Sequence, residues 1–298
     1  MSMRTELRRL APLLCAGPAI LMLLVLFVLP MLLLLRVSLF EGGGQSGFGL
    51  GAGGFYRPDT WTLQAYGTLL GDFYFRDVLA FTVGLGIGLA LLSVLIAYPL
   101  ALFIRSLRGS AKWLALSAVV LPKLANLLVV IYGWVLILSN EGPINRALLQ
   151  LGLRQQPLEL LHNLTAVVIG ETYLILPYAV LVLVAAFEGI DPTLEAAAQG
   201  LGASRWQTFR RVTLPLSARG LALAAMISLI WGLGAFISPY LLGGPEQITL
   251  AVDVQKQAFE NLNWPRAAAD AVLMLLVVAA VVAVFGGAAR SRQRQVRA

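Results

Sequence analysis

Two charged residues, Lys123 and Glu171, lie inside otherwise apolar segments of the sequence. With a rise of about 1.5 Å per helical residue, Lys123 would lie roughly 16 Å from one face of a membrane and Glu171 roughly 9 Å from the other, in a core about 30 Å thick. Charges at such depths pair or face a water-filled cavity. We therefore expect both to face the interior of a helical bundle, where they either form a packing ion pair or flank a polar path.

Aromatic residues accompany these two charges in the apolar segments. They are Tyr132, Trp134, Tyr173 and Trp231. The face of an aromatic ring attracts a cation. Together with Lys123 and Glu171, the four rings therefore predict the lining of a translocation path for a cationic solute. Aromatic residues in membrane spans also serve as packing residues and interfacial anchors, and the sequence leaves both roles open.

The sequence lacks the motifs of covalent chemistry. It contains no G-x-x-x-x-G-K-[ST] phosphate loop, and Gly84-x-Gly86-x-Gly88 lies inside an apolar segment with no strand before it. The single histidine, His162, and the single cysteine, Cys15, are far apart in the chain and complete no metal-ligand pattern. We expect no enzymatic activity, no metal and no bound cofactor in this chain.

The composition is that of a membrane protein. Of 298 residues, 59% are hydrophobic and 12% are charged, against about 25% charged in soluble domains. Hydropathy predicts an all-α membrane protein with a single domain, 1–298, in a lipid bilayer. The predicted spans are about 12–35, 78–104, 113–138, 165–187, 220–240 and 267–287. Gly84 and Gly88, four residues apart in the second span, predict the close approach of a neighbouring helix.

The basic residues are distributed unevenly between the two sides of these spans. Fourteen of the 22 lysines and arginines lie in the N-terminus, the loops 105–112 and 188–219, and the tail, whereas the longer opposite loops hold seven. Because cytoplasmic segments carry the excess of basic residues, both termini and the loop 188–219 are predicted to be cytoplasmic. The net charge of +7 is thus explained by membrane topology, and we expect no nucleic-acid partner.

The loop between the fourth and fifth spans contains a polar stretch of helical character, from Asp191 to Pro215. Asp191 followed by Pro192 is typical of a helix start. Glycines at 200 and 202 interrupt the pattern, and an amphipathic run follows in which Trp206 and Phe209 share one face. Leu214 and Pro215 are predicted to end this unit. The pattern fits a docking element, and it also fits a simple connection between two spans.

The second half of this stretch resembles the EAA loop of ABC importer permeases, EAA-x3-G-x9-I-x-LP. Nine residues follow Gly202, and then come Val212, Thr213, Leu214 and Pro215. The first half departs from the motif, because Ala196 occupies the position of the usual glutamate and Glu195 stands one place early. One residue turns a helical side chain by about 100°, so we expect either a different partner for Glu195 or no salt bridge. The resemblance implies a coupling loop formed by Glu195, Ala196, Ala197, Ala198, Gly202, Ala203, Arg205, Trp206, Phe209, Arg210 and Pro215.

Further stretches resemble the spermidine/putrescine branch of the same family. They are Leu121-Pro122, Ile131-Tyr132-Gly133-Trp134, Leu176-Pro177-Tyr178, Gly234-Ala235-Phe236-Ile237-Ser238-Pro239, Leu241-Leu242-Gly243-Gly244-Pro245 and Asn263-Trp264-Pro265. The resemblance implies a type I importer permease (MetI-like) fold of six spans, with short cytoplasmic coupling helices between spans 4 and 5. It also implies a bacterial inner-membrane location and a polyamine or related cationic solute.

The resemblance implies partners as well: a second permease subunit, two cytoplasmic ATP-binding subunits that hold ATP and Mg, and a periplasmic solute-binding protein. Trp206 and Phe209 would then either anchor the loop on an ATP-binding subunit or pack against the ends of this chain's own spans. The alternatives to polyamine transport are a permease of the same family for another small solute (iron, an amino acid or an organic anion) and a secondary transporter. A secondary transporter would be built from repeats, and we find none in the sequence.

Overall fold

The computed structural model describes residues 17–18, 21–42, 56–57 and 60–297, and six helical segments within these ranges are long and apolar enough to cross a membrane. In chain order the helices are α1 (Leu21–Ser38), α2 (Gln64–Gly71), α3 (Phe73–Ser106), α4 (Ser110–Val120), α5 (Leu127–Leu138), α6 (Pro143–Gln150), α7 (Leu164–Glu188), α8 (Pro192–Gly200), α9 (Arg205–Leu233), α10 (Ile237–Leu242), α11 (Leu250–Gln255) and α12 (Trp264–Arg297). The predicted all-α membrane architecture is confirmed. The first residues of the predicted span 12–35 lie outside the described ranges, as do both chain ends, Met1 and Ala298.

The described part of the chain divides into two compact units. The first comprises the described residues up to 72 together with 254–273, and the second comprises residues 73–253 and the described residues from 274 onward. Within the first unit, the two-residue strands β1 (Glu41–Gly42) and β2 (Tyr56–Arg57) pair in antiparallel fashion. A 2.8 Å salt bridge between Arg266 and Asp72 joins the start of α12 to the end of α2 in the same unit.

The core of the second unit is built from α3, α7 and α9, which pack against one another. The helix α7 is central, since 61% of its most apolar window is buried inside the protein. One apolar cluster includes Leu89, Ile131 and Ile175, and a second includes Ile104 and Phe187. Each helix therefore presents one side to its neighbours, and the remaining apolar side chains cover an outer surface that suits lipid or another subunit.

The backbones of α3 and α9 approach closely at a pair of glycines, but not at the predicted pair. A Cβ atom built on Gly232 would lie 2.9 Å from the Cα atom of Gly86, whereas nothing in the described chain lies within 4 Å of one built on Gly84 or Gly88. Two residues along a helix correspond to a turn of about 200°. Gly86 therefore lies on the face of α3 opposite to that of Gly84 and Gly88, so the prediction placed this close contact on the wrong face of the helix.

The predicted third span, 113–138, is interrupted. The helix α4 ends at Val120, the residues Leu121–Leu124 form a single 3-10 turn, and α5 begins at Leu127. Pro122 lies in this turn, and a proline has no N–H to continue a helix. Asn126 restarts the helix by accepting a hydrogen bond from the backbone N–H of Leu128 at 2.9 Å. The interruption places Lys123 on a short turn instead of on a continuous helix.

Candidate functional site

The ammonium of Lys123 is held between two aromatic side chains in the second unit. Its Nζ atom lies 4.5 Å from the ring centroid of Tyr178 on α7 and 4.9 Å from that of Trp231 on α9. The two rings are themselves neighbours, with centroids 4.9 Å apart and planes inclined by 34°. Both distances fall within the range of about 6 Å in which a cation interacts favourably with a ring face. The turn after α4 thus places a primary ammonium against an aromatic platform formed by Tyr178 of α7 and Trp231 of α9.

Lys123 and the two rings form part of the wall of a cavity of about 150 Å³. Its wall includes Pro122, Lys123, Tyr173, Pro177, Tyr178 and Trp231. The wall is mostly apolar and aromatic, with one cationic group in it, which is the composition of a small-molecule site. Among the described residues no group of three His, Cys, Asp or Glu side chains is placed to hold a metal ion.

Glu171 lies two helical turns before Tyr178 on the same face of α7. Its side chain is only 2% exposed, and its Oε2 atom has no hydrogen-bond partner in the described part of the chain. It does not form the ion pair with Lys123 that is one of the two arrangements expected from the sequence, since no carboxylate oxygen of the described residues lies within 4.0 Å of the Lys123 Nζ atom. The two groups nevertheless interact electrostatically. Glu171 therefore places a titratable carboxyl group near the site without pairing with Lys123 directly.

The structure brings together some of the aromatic residues expected in a path and separates others. Trp231 contacts Lys123, and Tyr173 lines the same cavity. Trp134 packs edge-on against Tyr173 with centroids 5.7 Å apart, so it supports the wall without being part of it. Tyr132 is 55% exposed and lies outside the cavity wall.

Tyr178 is the important side chain that the chemical pattern alone did not select. Its ring is the nearer of the two that hold Lys123. A signal was present in the sequence, because residues seven apart lie on one face of a helix and Glu171 precedes Tyr178 by seven positions. Applying that spacing to the buried glutamate would have placed Tyr178 at the site.

The cytoplasmic-loop candidate, Asp191 to Pro215, is anchored to its own chain by Glu195. The carboxylate Oε1 atom accepts hydrogen bonds from Arg105 Nη1 at 2.8 Å and from Thr213 Oγ1 at 2.7 Å. Partial burial raises the pKa of Glu195, but the hydrogen bonds from Arg105 and Thr213 and the charge of Arg105 outweigh it, and the pKa lies below its ordinary value. Of the two outcomes expected for the displaced glutamate, a salt bridge is the one present, and its partner lies at the end of α3.

The turn between α8 and α9 depends on a glycine and a capping box. Gly202 has φ +88°, a conformation that L side chains rarely adopt. Ser204 then caps α9: its Oγ accepts from the Gln207 N–H at 3.2 Å, and the Gln207 side chain accepts from the Ser204 N–H at 2.9 Å. At the other end of the loop, Asp191 caps α8 by accepting from the Thr193 N–H at 2.9 Å, and this backbone hydrogen bond lowers the pKa of Asp191.

The second helix of the loop does not end at Pro215. It continues as α9 through a π-helical turn, Phe209–Thr213, directly into the fifth span, and that span ends at Leu233 instead of Tyr240. Pro215 lies in the first turn of the α-helical segment that follows the π turn, a position at which the missing N–H is tolerated. The loop and the span therefore share one continuous helix.

The two aromatic residues of the loop have different environments. Phe209 is half-buried and packs edge-on against Tyr98 of α3 at 6.1 Å, whereas Trp206 stacks on Phe209 at 5.4 Å and is 66% exposed. Leu201, which the pattern did not select, is 90% exposed beside the glycine turn. The remaining predicted loop residues fall into an exposed set, Ala196, Ala197, Arg205, Arg210 and Pro215, and a half-buried set, Ala198 and Ala203.

Comparison with known proteins assigns the chain to a family. The family model described as "Binding-protein-dependent transport system inner membrane component" matches residues 7–295. The chain is 30% identical over 274 residues to the spermidine/putrescine transport system permease protein PotB of Escherichia coli K12, covering 92% of this chain and 96% of that protein. It is 31% identical over 274 residues to the protein of the same name from Haemophilus influenzae, with 92% of each chain covered.

The fold is also found in solved structures. A chain of the bacterial alginate ABC transporter, solved in complex with an alginate pentasaccharide-bound periplasmic protein, matches with a TM-score of 0.76 and 20% identity over 98% of each chain. At this identity the match concerns the fold alone. It agrees with the six-span importer architecture expected from the sequence.

Proposed function

The chain belongs to the family of binding-protein-dependent transport system inner membrane components, the permeases of ABC importers, and we propose that it forms half of a translocation path for a polyamine or related cationic solute. The near full-length similarity to two PotB proteins supports the solute class. The Lys123 site adds physical support, because the interior of the second unit already holds a primary ammonium on two ring faces.

One observation carries the proposed coupling role of the loop: it is anchored on one side and exposes apolar side chains on the other. Glu195 ties α8 to Arg105 and Thr213, while Trp206 and Leu201 remain exposed. An exposed tryptophan in a well-supported position is a common anchor of protein interfaces. We propose that Trp206 and Leu201 contact a cytoplasmic ATP-binding subunit, with Arg205 and Arg210 at the rim, and that Phe209 packs inside this chain.

The continuity of α9 gives this contact a mechanical consequence. A force applied at Trp206 acts on the same helix that carries Trp231 at the Lys123 site. Closure of two ATP-binding subunits, which would hold ATP and Mg, would therefore move α9 as a unit and alter the aromatic platform. In this proposal a second permease supplies the other half of the path, a periplasmic binding protein delivers the solute, and both termini of this chain are cytoplasmic.

The transport proposal is tested by uptake of radiolabelled putrescine and spermidine into proteoliposomes that contain this permease with its partner subunits. We expect uptake that requires the binding protein outside and ATP inside and that persists when the proton gradient is dissipated. Uptake that survives without ATP but stops with the proton gradient would identify a secondary transporter. ATP-driven uptake of iron, an amino acid or an organic anion, with none of polyamines, would contradict the solute class alone.

The coupling proposal is tested by replacing Trp206 with alanine. Loss of an interface anchor typically weakens binding by about 2 kcal/mol or more, roughly 30-fold, so the ATP-binding subunit should no longer co-purify with the Trp206→Ala permease. Trp61→Ala is the matched control, because Trp61 is 72% exposed and lies outside the loop. Equal recovery of the ATP-binding subunit with both variants would exclude Trp206 from the interface.

A further inference from the structure

The Lys123 ammonium interacts with rings where a lysine would ordinarily have an oxygen acceptor. Its two partners are the ring faces of Tyr178 and Trp231, at 4.5 and 4.9 Å, and in the described chain no hydrogen bond or ion pair to Lys123 accompanies them. Binding of a cation against two aromatic faces is also the way in which proteins recognise alkylammonium ligands. The side chain of Lys123 is itself an alkylammonium, attached to the protein through its own backbone.

The rings and the lysine come from elements of different kinds. Tyr178 and Trp231 lie on α7 and α9, two of the three helices that form the core of the second unit. Lys123 lies on the short 3-10 turn Leu121–Leu124, and Ala125 after it is extended. The ammonium can therefore leave through rotation of a long, flexible side chain, while both rings remain where helix packing holds them.

The space beside the Lys123 side chain is large enough to admit such a ligand. The cavity of about 150 Å³ corresponds to about five groups the size of a water molecule, at about 30 Å³ each. A linear primary amine with four carbons has five non-hydrogen atoms. The buried carboxyl of Glu171, with its Oε2 atom free of hydrogen bonds in the described residues, lies within electrostatic range of a cation on the rings.

We propose that Tyr178 and Trp231 form an alkylammonium-binding site, and that Lys123 occupies this site as a tethered ligand until the ammonium group of a solute displaces it. The two ring faces hold one ammonium at a time, so displacement exchanges the lysine ammonium for that of the solute on the same rings. The identity of the solute rests on the proposed function, whereas the existence of the site does not.

The test removes the tethered ligand and supplies a free one. Lys123→Ala empties the platform, and n-butylammonium chloride is the probe because it reproduces the lysine side chain beyond its Cα atom. Binding is followed by fluorine NMR of full-length permease in lipid nanodiscs, labelled with fluorotryptophan, with the Trp231 resonance identified by its loss in Trp231→Phe. The neutral isostere n-butanol controls for simple filling of the cavity.

We expect n-butylammonium to shift the Trp231 resonance of Lys123→Ala saturably, at concentrations at least about tenfold lower than those needed in the wild type, where the tethered ammonium competes. Lys112→Ala, which removes the lysine paired with Glu188 at the end of α7, should respond like the wild type. Tyr178→Leu combined with Lys123→Ala should weaken the binding of n-butylammonium while leaving any effect of n-butanol unchanged.

Two results would overturn the inference. Equal titration curves for the wild type and Lys123→Ala would show that Lys123 does not occupy the site. A response to n-butylammonium no stronger than that to n-butanol would show that the rings do not select an ammonium. The binding test is independent of the uptake test for the proposed function. If n-butylammonium binds to Lys123→Ala but no polyamine is taken up, only the proposed function is contradicted. If polyamine uptake is ATP-driven but n-butylammonium does not bind, only this site is contradicted.

Discussion

The anchoring of the loop Asp191 to Pro215 by Glu195 leads to a quantitative prediction. In Glu195→Ala, the acceptor shared by Arg105 at 2.8 Å and Thr213 at 2.7 Å is lost. The side chains of Arg105 and Glu195 are 18% and 25% exposed, so both are largely shielded from water. Removal of Glu195 also leaves the guanidinium of Arg105 without this carboxylate at the end of α3. We therefore expect local release of α8, with little change in the packing of the spans.

The magnitude follows from the number and environment of these contacts. A hydrogen bond to a charged group contributes about 1.5–3 kcal/mol, and a fully exposed ion pair contributes only about 0–1 kcal/mol. Two such bonds would sum to about 3–6 kcal/mol if fully shielded. Because both side chains are partly exposed, solvent screening lowers the total, and we expect about 2 kcal/mol, which is roughly a 30-fold change in the local opening equilibrium. Glu195→Gln retains an oxygen acceptor and loses only the charge, so its effect should be smaller, about tenfold.

Hydrogen exchange of the backbone amides of α8 measures this opening directly. Exchange should accelerate in Glu195→Ala, and adding Arg105→Ala should produce less further acceleration than it does in the wild-type background, since the two residues share one interaction. Glu188→Ala is the matched control: it removes a 2.6 Å ion pair with Lys112 in which the carboxylate is half exposed. If Glu195→Ala and Glu188→Ala accelerated α8 equally, or if the two members of the Glu195 pair acted additively, the anchoring argument would be refuted.

Three further predictions concern glycines and pH. Gly202→Ala, at φ +88°, should destabilise the loop by about 1 kcal/mol or more, whereas Gly200→Ala, with open space and no such φ, should not; exchange of the loop amides distinguishes them. Gly232→Ala should lower the free energy of unfolding of the permease by about 1–3 kcal/mol, because the added Cβ atom clashes with α3, and thermal unfolding measures this loss. Gly84→Ala, whose added Cβ atom has no described neighbour within 4 Å, should be near neutral. Because the folded-state pKa of Glu195 is depressed, protection of α8 should be full above the unfolded pKa of about 4.3 and decline as the pH falls through the folded value. In Glu195→Gln, exchange corrected for its intrinsic pH dependence should lack this acid-induced decline.

Much of the architecture was predictable from local pattern. Hydropathy located the apolar segments because a span must be long and apolar wherever it packs. The glycine, capping and proline signals located the loop because they act within a few residues of their own backbone. The interruption of the third span was missed, although Pro122 lies in it, because a proline inside an apolar run is also compatible with a continuous kinked helix.

The candidate sites were predictable only in part. Depth along the chain selected Lys123 and Glu171, and their neighbourhood includes Trp231 as expected. The pattern did not select Tyr178, and it included Tyr132, which lies outside the cavity wall. Sequence position gives the depth of a side chain in a span, whereas the rotation of the span about its own axis depends on which neighbours it packs against.

The sequence by itself determined where the chain is apolar, where its basic residues cluster, and where the loop from Asp191 to Pro215 turns, since each of these depends on residue types within one segment. The tertiary structure decided that Gly86 and not Gly84 meets α9, that Glu195 pairs with Arg105, and that Tyr178 and Trp231 hold Lys123. Each of these contacts joins residues from different helices. They form because the packing of α3, α7 and α9 sets how far each helix is rotated and displaced relative to the others, which no single segment specifies.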